Sequence, residues 1–156
     1  MTPHQFLDED EALTPRKRVS ILSAPLANTV SWGSGAEQGP AAILEASPAL
    51  ESFDDELQIE TFRAGFETLP ALPLAGLSSE EACSLICQAV SQELARERLP
   101  VLLGGEHTVT LPAVAACARR FPDLHVIQID AHLDLRHEFD GTPFSHACVM
   151  RRLHDL

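Results

Sequence analysis

The chain has 156 residues, of which 11 are basic and 23 acidic, so its net charge is −12 at pH 7. With 45% hydrophobic residues, this balance predicts one globular domain rather than a disordered chain. The negative charge argues against nucleic acid or an anionic membrane as a partner, because both are bound mainly through clustered Lys and Arg side chains.

Residues 1–17 form an acidic leader that is predicted to be flexible, and residues 18–156 form the domain. Asp8 to Glu11 carry negative charge where a signal peptide would carry positive charge. No run approaches the roughly 20 apolar residues that a membrane span needs. The sequence therefore predicts a cytoplasmic protein.

The first half of the domain alternates between short strands and helices. Residues 18–23 predict a strand that ends near Pro25, and Gly39-Pro40 opens a helix, since proline suits the first helical position. Residues 58–62 predict a second strand. Ser78 and Glu81 have the spacing of a capping box, and the helix that they start should run to about Arg98.

The second half continues this alternation. Residues 100–105 predict a short buried strand, 108–120 a helix, 125–130 another buried strand, and a last helix starts at about Ser145. Strands that alternate with helices indicate an α/β fold with a parallel sheet covered by helices on both faces, a three-layer αβα arrangement. Four cysteines without a CxxC pair are interpreted as small, reduced core residues: Cys83, Cys87, Cys117 and Cys148.

Two strand ends carry the residues with the most chemistry. In α/β folds the functional groups lie at the carboxyl ends of the strands. The first end is Gly104-Gly-Glu-His107, where two glycines let the backbone turn and His107 projects at the start of the next helix. The second end is Asp130-Ala-His-Leu-Asp134, where an extended backbone would turn Asp130, His132 and Asp134 to one side.

Two carboxylates and two imidazoles on neighbouring strand ends favour a metal site for Mn²⁺, Fe²⁺ or Zn²⁺. The architectural alternative is that His107 caps a helix and that Asp130 merely ends a strand. Three ligand-type residues at alternate positions after an apolar strand favour the metal.

These motifs resemble those of the ureohydrolases, the family that includes arginase and agmatinase. Residues 104–110 (GGEHTVT) resemble the first metal motif of the family, and residues 130–134 (DAHLD) resemble the second. The similarity extends to residues 29–35, 39–43 and 145–152, so it covers most of the chain. Asp134-Leu-Arg136 and Ser145-His146 are more similar to agmatinases than to arginases, which would carry Asn near Arg136.

The resemblance implies an arginase-like fold, a site for two Mn²⁺ ions and the hydrolysis of agmatine to putrescine and urea, a step of polyamine metabolism. His107 and Asp134 would bind one ion, His132 the other, and Asp130 would bridge them. His146 resembles the active-site histidine and is a candidate proton shuttle. A homo-oligomer is implied for the full-length form.

Family members continue to a further motif with two aspartates, which has no counterpart in this chain. The fold is therefore expected to be truncated at its C-terminus and the metal site incomplete. The alternative is a non-catalytic remnant that binds at most one metal ion or a partner; among enzymes, guanidinobutyrase or arginase activity is the other possibility.

Overall fold

The computed structural model describes residues 5–7 and 16–156. Its regular elements follow in chain order: β1 (Val19–Ala24), α1 (Gly39–Ala46), β2 (Phe53–Asp54), β3 (Ile59–Glu60), β4 (Phe66–Thr68), α2 (Ser79–Ala95), β5 (Leu99–Gly104), α3 (Thr110–Arg120) and α4 (Val149–His154). Short 3-10 helices precede α1, α3 and α4.

The main sheet is parallel, as predicted, and has the strand order β4-β1-β5. All six residues of β1 are buried, because β1 is the central strand and has helices on both faces. Its register pairs Ala24 with Gly104, the last residue of β5. The two strands therefore end together at the edge where the GGEH motif begins.

Alternate residues of β1 supply two separate hydrophobic cores, so the three-layer arrangement is confirmed. Leu22 and Ala24 pack with α2 and α3 on one face, where Ile86 and Val90 are fully buried. On the other face, Val19 and Ile21 pack against Leu44 of α1 and its neighbours. This alternation is the two-residue period of a strand that is covered on both sides.

Helix α2 begins as the sequence predicts. Ser78 accepts a hydrogen bond from the Glu81 backbone N–H, and the Glu81 carboxylate accepts one from the Ser78 backbone N–H, which completes the capping box. The helix ends at Ala95, three residues before the predicted end. Glu97 follows with a φ of 59°, a left-handed conformation that does not continue a right-handed helix.

The predicted strand at residues 58–62 is wrong for most of its length. Only Ile59–Glu60 is extended, and it pairs with β2 in a separate antiparallel ribbon. Thr61–Ala64 is a 3-10 helix, and Gly65, with a φ of 75°, redirects the chain into β4. The third strand of the main sheet is therefore Phe66–Thr68, which the hydrophobic pattern did not mark.

The predicted buried strand at residues 125–130 is also wrong. Ile127 is 88% exposed and Ile129 is 98% exposed, and no strand of the described residues pairs with this segment. An apolar run becomes a buried strand only when a neighbouring strand accepts its hydrogen bonds and a helix covers it. Strand β5 is present as predicted, but it pairs with β1 alone and its residues are exposed or partly buried, so the predicted burial of this strand is wrong.

Part of the predicted leader packs on the domain. The backbone N–H of Phe6 donates to Thr68 Oγ1 at 2.7 Å, and that of Leu7 donates to Ser47 Oγ at 2.9 Å. Residues 1–4 and 8–15 lie outside the described residues, so the flexibility of the leader stays a prediction.

The cysteines are free thiols, of which Cys83 and Cys148 are buried and Cys87 and Cys117 partly buried. Burial raises the pKa of the Cys83 thiol to about 11, which keeps it protonated. Among the described residues, no helix combines the length and apolar character needed to cross a membrane.

Candidate metal centre

The first motif reaches its position because two glycines allow a close approach between backbone segments. A Cβ on Gly105 would lie 2.2 Å from the carbonyl oxygen of Leu26, in the loop after β1. A Cβ on Gly104 would lie 2.5 Å from Val109 Cγ2. The glycines therefore provide space rather than a special turn conformation, and His107 starts the 3-10 helix that leads into α3.

Three of the predicted ligands lie together at this edge of the sheet. His107 Nδ1 is 2.7 Å from Asp134 Oδ2 and 3.8 Å from Asp130 Oδ2. One ligand atom from each of these residues lies within 4.8 Å of the other two. One imidazole nitrogen and two carboxylate oxygens form a mixed donor set that fits a divalent cation such as Mn²⁺ or Zn²⁺.

The loop that carries Asp134 is fixed by the start of the last helix rather than by a strand. Asp134 has a φ of 47°, so the alternation expected of an extended backbone is interrupted there. The Asp134 carbonyl accepts a hydrogen bond from the Arg151 N–H at 3.2 Å, and the Arg136 N–H donates to the Ala147 carbonyl at 3.1 Å. These bonds tie the loop to the last helix, and the Asp134 carboxylate lies 2.7 Å from His107 Nδ1.

His132 does not join the cluster of three. Its side chain is 81% exposed, and its Nδ1 lies 3.5 Å from Asp130 Oδ1, on the opposite carboxylate oxygen from His107. The backbone N–H of His132 donates to the same Oδ1 at 2.8 Å. This hydrogen bond lowers the pKa of the Asp130 carboxyl below its ordinary value, which favours the ionised form that binds a cation.

A cleft of about 890 Å³ opens over three of the predicted ligands. His146 lies in its wall at the start of the 3-10 helix His146–Cys148, and it shares the cleft with His107, His132 and Asp134. The predicted proton shuttle and three of the four predicted ligands therefore line one cleft. The ring of Phe139 packs edge-on against that of His146, with centroids 5.4 Å apart.

Two further residues, Trp32 and Arg136, also line the cleft. Trp32 is 94% exposed, so it is not part of the hydrophobic core. The guanidinium of Arg136 stacks on Phe139, 4.9 Å from the ring centroid. Arg136 thus supports the wall that holds His146.

Glu106, a buried acidic residue beside the predicted ligands, was assigned no role by the sequence analysis. The Glu106 side chain is only 4% exposed and its Oε2 lies 4.0 Å from His146 Nδ1. Glu106 accepts hydrogen bonds from the hydroxyl and backbone N–H of Thr29, and Thr29 in turn contacts His146. The signal available in the sequence was an acidic residue between a glycine pair and a ligand histidine, which is an unusual place for a solvated side chain.

Comparison with known proteins identifies the family. The model of the Arginase family matches residues 17–156, which is most of the chain, and the chain belongs to this family. It is 36% identical to the agmatinase of Bacillus cereus over 139 residues, which cover 89% of this chain and 48% of that protein. It is also 36% identical to the N(1)-aminopropylagmatine ureohydrolase of Synechocystis over 164 aligned positions, covering 99% and 53% respectively.

The fold agrees with this assignment. The crystal structure of agmatine ureohydrolase from Thermoplasma volcanium superposes with a TM-score of 0.87 at 27% identity, covering 100% of this chain and 52% of that one. The predicted arginase-like fold is therefore confirmed. The chain spans about half the length of the curated relatives that it matches.

Proposed function

We propose that this sequence forms the part of an agmatinase-type amidinohydrolase that carries its first metal ligands and its proton-transfer histidine. The reaction is the hydrolysis of agmatine with water to putrescine and urea. The observation that carries the proposal is the convergence of His107, Asp130 and Asp134, of which His107 and Asp134 line the same cleft as His146. The similarity to an agmatinase and to a related ureohydrolase supports the guanidino substrate.

The ligand roles follow from the geometry of Asp130. One carboxylate oxygen is directed to His107, and the other is directed to His132. This arrangement supports a role for Asp130 in holding both of two Mn²⁺ ions, of which His107 and Asp134 would also hold one and His132 would also hold the other. When bound, a pair of divalent cations lowers the pKa of water, so that hydroxide is available near neutral pH to attack the guanidinium carbon.

The chain's own residues would bind the substrate and move protons. The carboxylates of Asp130 and Asp134 would hold the cations, while the chain's net charge of −12 favours the approach of a cationic guanidinium group. His146 holds an imidazole in the wall, where it can take a proton from the reacting group or return one to the leaving amine. Phe139 and Thr29 fix the orientation of that ring.

Agmatine is favoured over arginine because the segment after DAHLD carries Arg136 and no Asn to hold an α-carboxylate. In a polypeptide that contains this sequence and spans the full length of its relatives, urea release with Mn²⁺ should be faster from agmatine than from arginine. Guanidinobutyrate belongs in the same assay as a third substrate. A preference for arginine would contradict the agmatinase assignment within the family.

A second function is supported by the number of ligands in the described residues. His107, Asp130 and Asp134 form the one cluster of three metal-binding groups found there, and Mn²⁺ prefers more ligands than these supply. In this alternative, the 156-residue chain is non-catalytic and binds at most one metal ion or a partner.

The two functions can be separated by assaying the 156-residue chain itself. We expect it to release no measurable urea from agmatine with excess Mn²⁺. Robust turnover by the purified chain, with its mass verified, would show that these ligands suffice. Assembly into a homo-oligomer, a cytoplasmic location and a role in polyamine metabolism are further parts of the proposal for the complete protein.

A further inference from the structure

Glu106 lies one residue before His107, yet its carboxylate is directed away from the ligand cluster. Its Oε1 accepts the backbone N–H of Thr29 at 3.0 Å, and its Oε2 accepts the hydroxyls of Thr29 and Thr108. An ionised carboxylate can only accept hydrogen bonds. The single hydroxyl proton of Thr29 is therefore committed to Glu106.

Thr29 Oγ1 must then act as an acceptor towards its other neighbours. It lies 3.1 Å from the backbone N–H of His146, which donates to it, and 3.2 Å from His146 Nδ1. Because the Thr29 hydroxyl already donates its hydrogen to Glu106, His146 Nδ1 must be the donor in its contact with Thr29 Oγ1. The Ser145 hydroxyl is farther from Nδ1, at 3.4 Å, and the nearby Glu106 oxygen is also an acceptor.

The other ring nitrogen of His146, Nε2, differs from Nδ1 in whether it donates or accepts a hydrogen bond. In a neutral imidazole, one nitrogen carries hydrogen and the other offers a lone pair. With hydrogen on Nδ1, the lone pair lies on Nε2, which is 2.9 Å from Ser31 Oγ. Ser31 lines the cleft with His146 and can donate its hydroxyl hydrogen to Nε2 until a reacting group replaces it.

We propose that Glu106 is a positioning residue that acts through Thr29 to hold neutral His146 in the Nδ1–H tautomer, with Nε2 as its proton-accepting atom. This inference deepens the proposed function and rests on it for its catalytic meaning. The hydrogen-bond chain itself requires neither metal nor substrate. It can therefore be tested separately from agmatine hydrolysis.

The test is a long-range ¹H–¹⁵N correlation spectrum of the histidine rings in the metal-free 156-residue chain. The spectra are recorded at about pH 8.5, well above the ordinary imidazole pKa of about 6.5. A His146→Gln variant assigns the signal. We expect the Nδ1–H pattern for His146, and the Nε2–H pattern in the wild-type chain would overturn the proposal.

Variants test the chain of bonds. In Glu106→Gln, the amide can donate to Thr29 Oγ1, which frees the Thr29 hydroxyl to donate to Nδ1, so the tautomer should shift towards Nε2–H. Thr29→Val should give a mixture, and Thr29→Ser should restore the wild-type pattern. Thr108→Val is the matched control, because it removes another hydrogen bond to Glu106 without touching His146. An unchanged tautomer in both Glu106→Gln and Thr29→Val would also overturn the proposal, whatever the outcome of the agmatine assay.

Discussion

Asp130 is the residue on which the proposed two-metal arrangement depends. Its carboxylate stands between two histidines, with one oxygen 3.8 Å from His107 Nδ1 and the other 3.5 Å from His132 Nδ1. A bridging ligand shares its charge between both ions, whereas His132 can contribute to one only. Replacing Asp130 should therefore lower the metal content at both sites, whereas replacing His132 should lower it at one.

In the complete enzyme, Asp130→Asn should leave the metal content well below the wild-type level of about two ions, because both sites lose charge. His132→Asn should leave about one ion per chain, and both variants should lose agmatine hydrolysis. Elemental analysis after dialysis measures the metal content.

His154→Asn provides a matched control for His132→Asn. The two side chains are 79% and 81% exposed, and each lies within 4.0 Å of an aspartate carboxylate. His154 is outside the cleft, so its replacement should change neither metal content nor turnover. Wild-type metal occupancy and activity in both site variants would contradict the assignment of the DAHLD segment to the metal site.

At the scale of the elements, a buried carboxylate joins α2 to the sheet. Glu93 is 2% exposed and accepts hydrogen bonds from the Ser20 hydroxyl of β1 and from Arg96 and Arg98. Arg98 also forms an ion pair with Glu67 of β4. Burial alone would raise the pKa of Glu93, but the Ser20 hydrogen bond and the two guanidinium groups together lower it.

Glu93→Gln should reduce the free energy of unfolding by about 2 kcal/mol at pH 7, because it removes a charged hydrogen-bond acceptor from a buried site. The lowered pKa means that this stabilisation is present above the ordinary carboxyl value of 4.5 and disappears as pH falls through the folded-state pKa. Urea unfolding of both proteins at several pH values measures the difference.

The difference between wild type and Glu93→Gln should shrink below about pH 4. Glu97→Gln, at an exposed position just beyond α2, is the control and should change stability by less than about 0.5 kcal/mol. A difference that stays constant down to the acid end of the range would contradict the charged role of Glu93.

The exposure of residues 125–130 predicts that substitutions there have little effect on stability. Ile129→Ala should change the free energy of unfolding by less than about 0.5 kcal/mol, since the side chain is 98% exposed. Ile86→Ala, in the fully buried core, should cost about 2–5 kcal/mol. Chemical denaturation measures both values. An equal loss of unfolding free energy at the two positions would indicate that residues 125–130 are buried after all.

Local signals in the sequence predicted the elements that local chemistry determines. The capping box at Ser78 and the proline at position 40 marked the starts of α2 and α1, and the GGEH motif marked the end of β5. The failures are the elements that depend on distant partners. Phe66–Thr68 is a strand because its backbone pairs with that of β1. Residues 125–130 have the composition of a strand but have no partner strand among the described residues.

The candidate site likewise contains residues that the sequence could predict and residues whose roles depend on distant contacts. His107 and the two aspartates were visible as ligand types at predicted strand ends, and the structure brings all three together although the strand before the aspartates does not form. The contacts of Glu106 and Thr29 were not visible, because these residues are 77 positions apart in the chain and meet only after β1 and β5 pair. The position of Asp134 depends on bonds to residues near α4 rather than on alternation along a strand.

At the scale of the whole molecule, the chain has the fold of the Arginase family over about half the length of its relatives. The sheet edge at β5 and the ligand cluster lie in the same region, because the GGEH motif follows β5 directly. In the proposed site, metal binding would depend on His107, Asp130 and Asp134, the cluster of three found among the described residues, with His132 beside them. We expect that binding to be weak, since protein groups fill only part of the coordination that Mn²⁺ prefers.

The most direct test of the metal centre is a Mn²⁺ titration of the 156-residue chain followed by electron paramagnetic resonance, in which binding reduces the signal of free Mn²⁺. We predict weak binding of Mn²⁺ whose Kd rises about tenfold or more in His107→Asn or Asp134→Asn, since even residues that only support metal ligands affect affinity by about 10–100-fold. His154→Asn should leave the titration unchanged. Identical titration curves for the wild-type chain and both ligand variants would contradict the assignment of these residues as a metal centre.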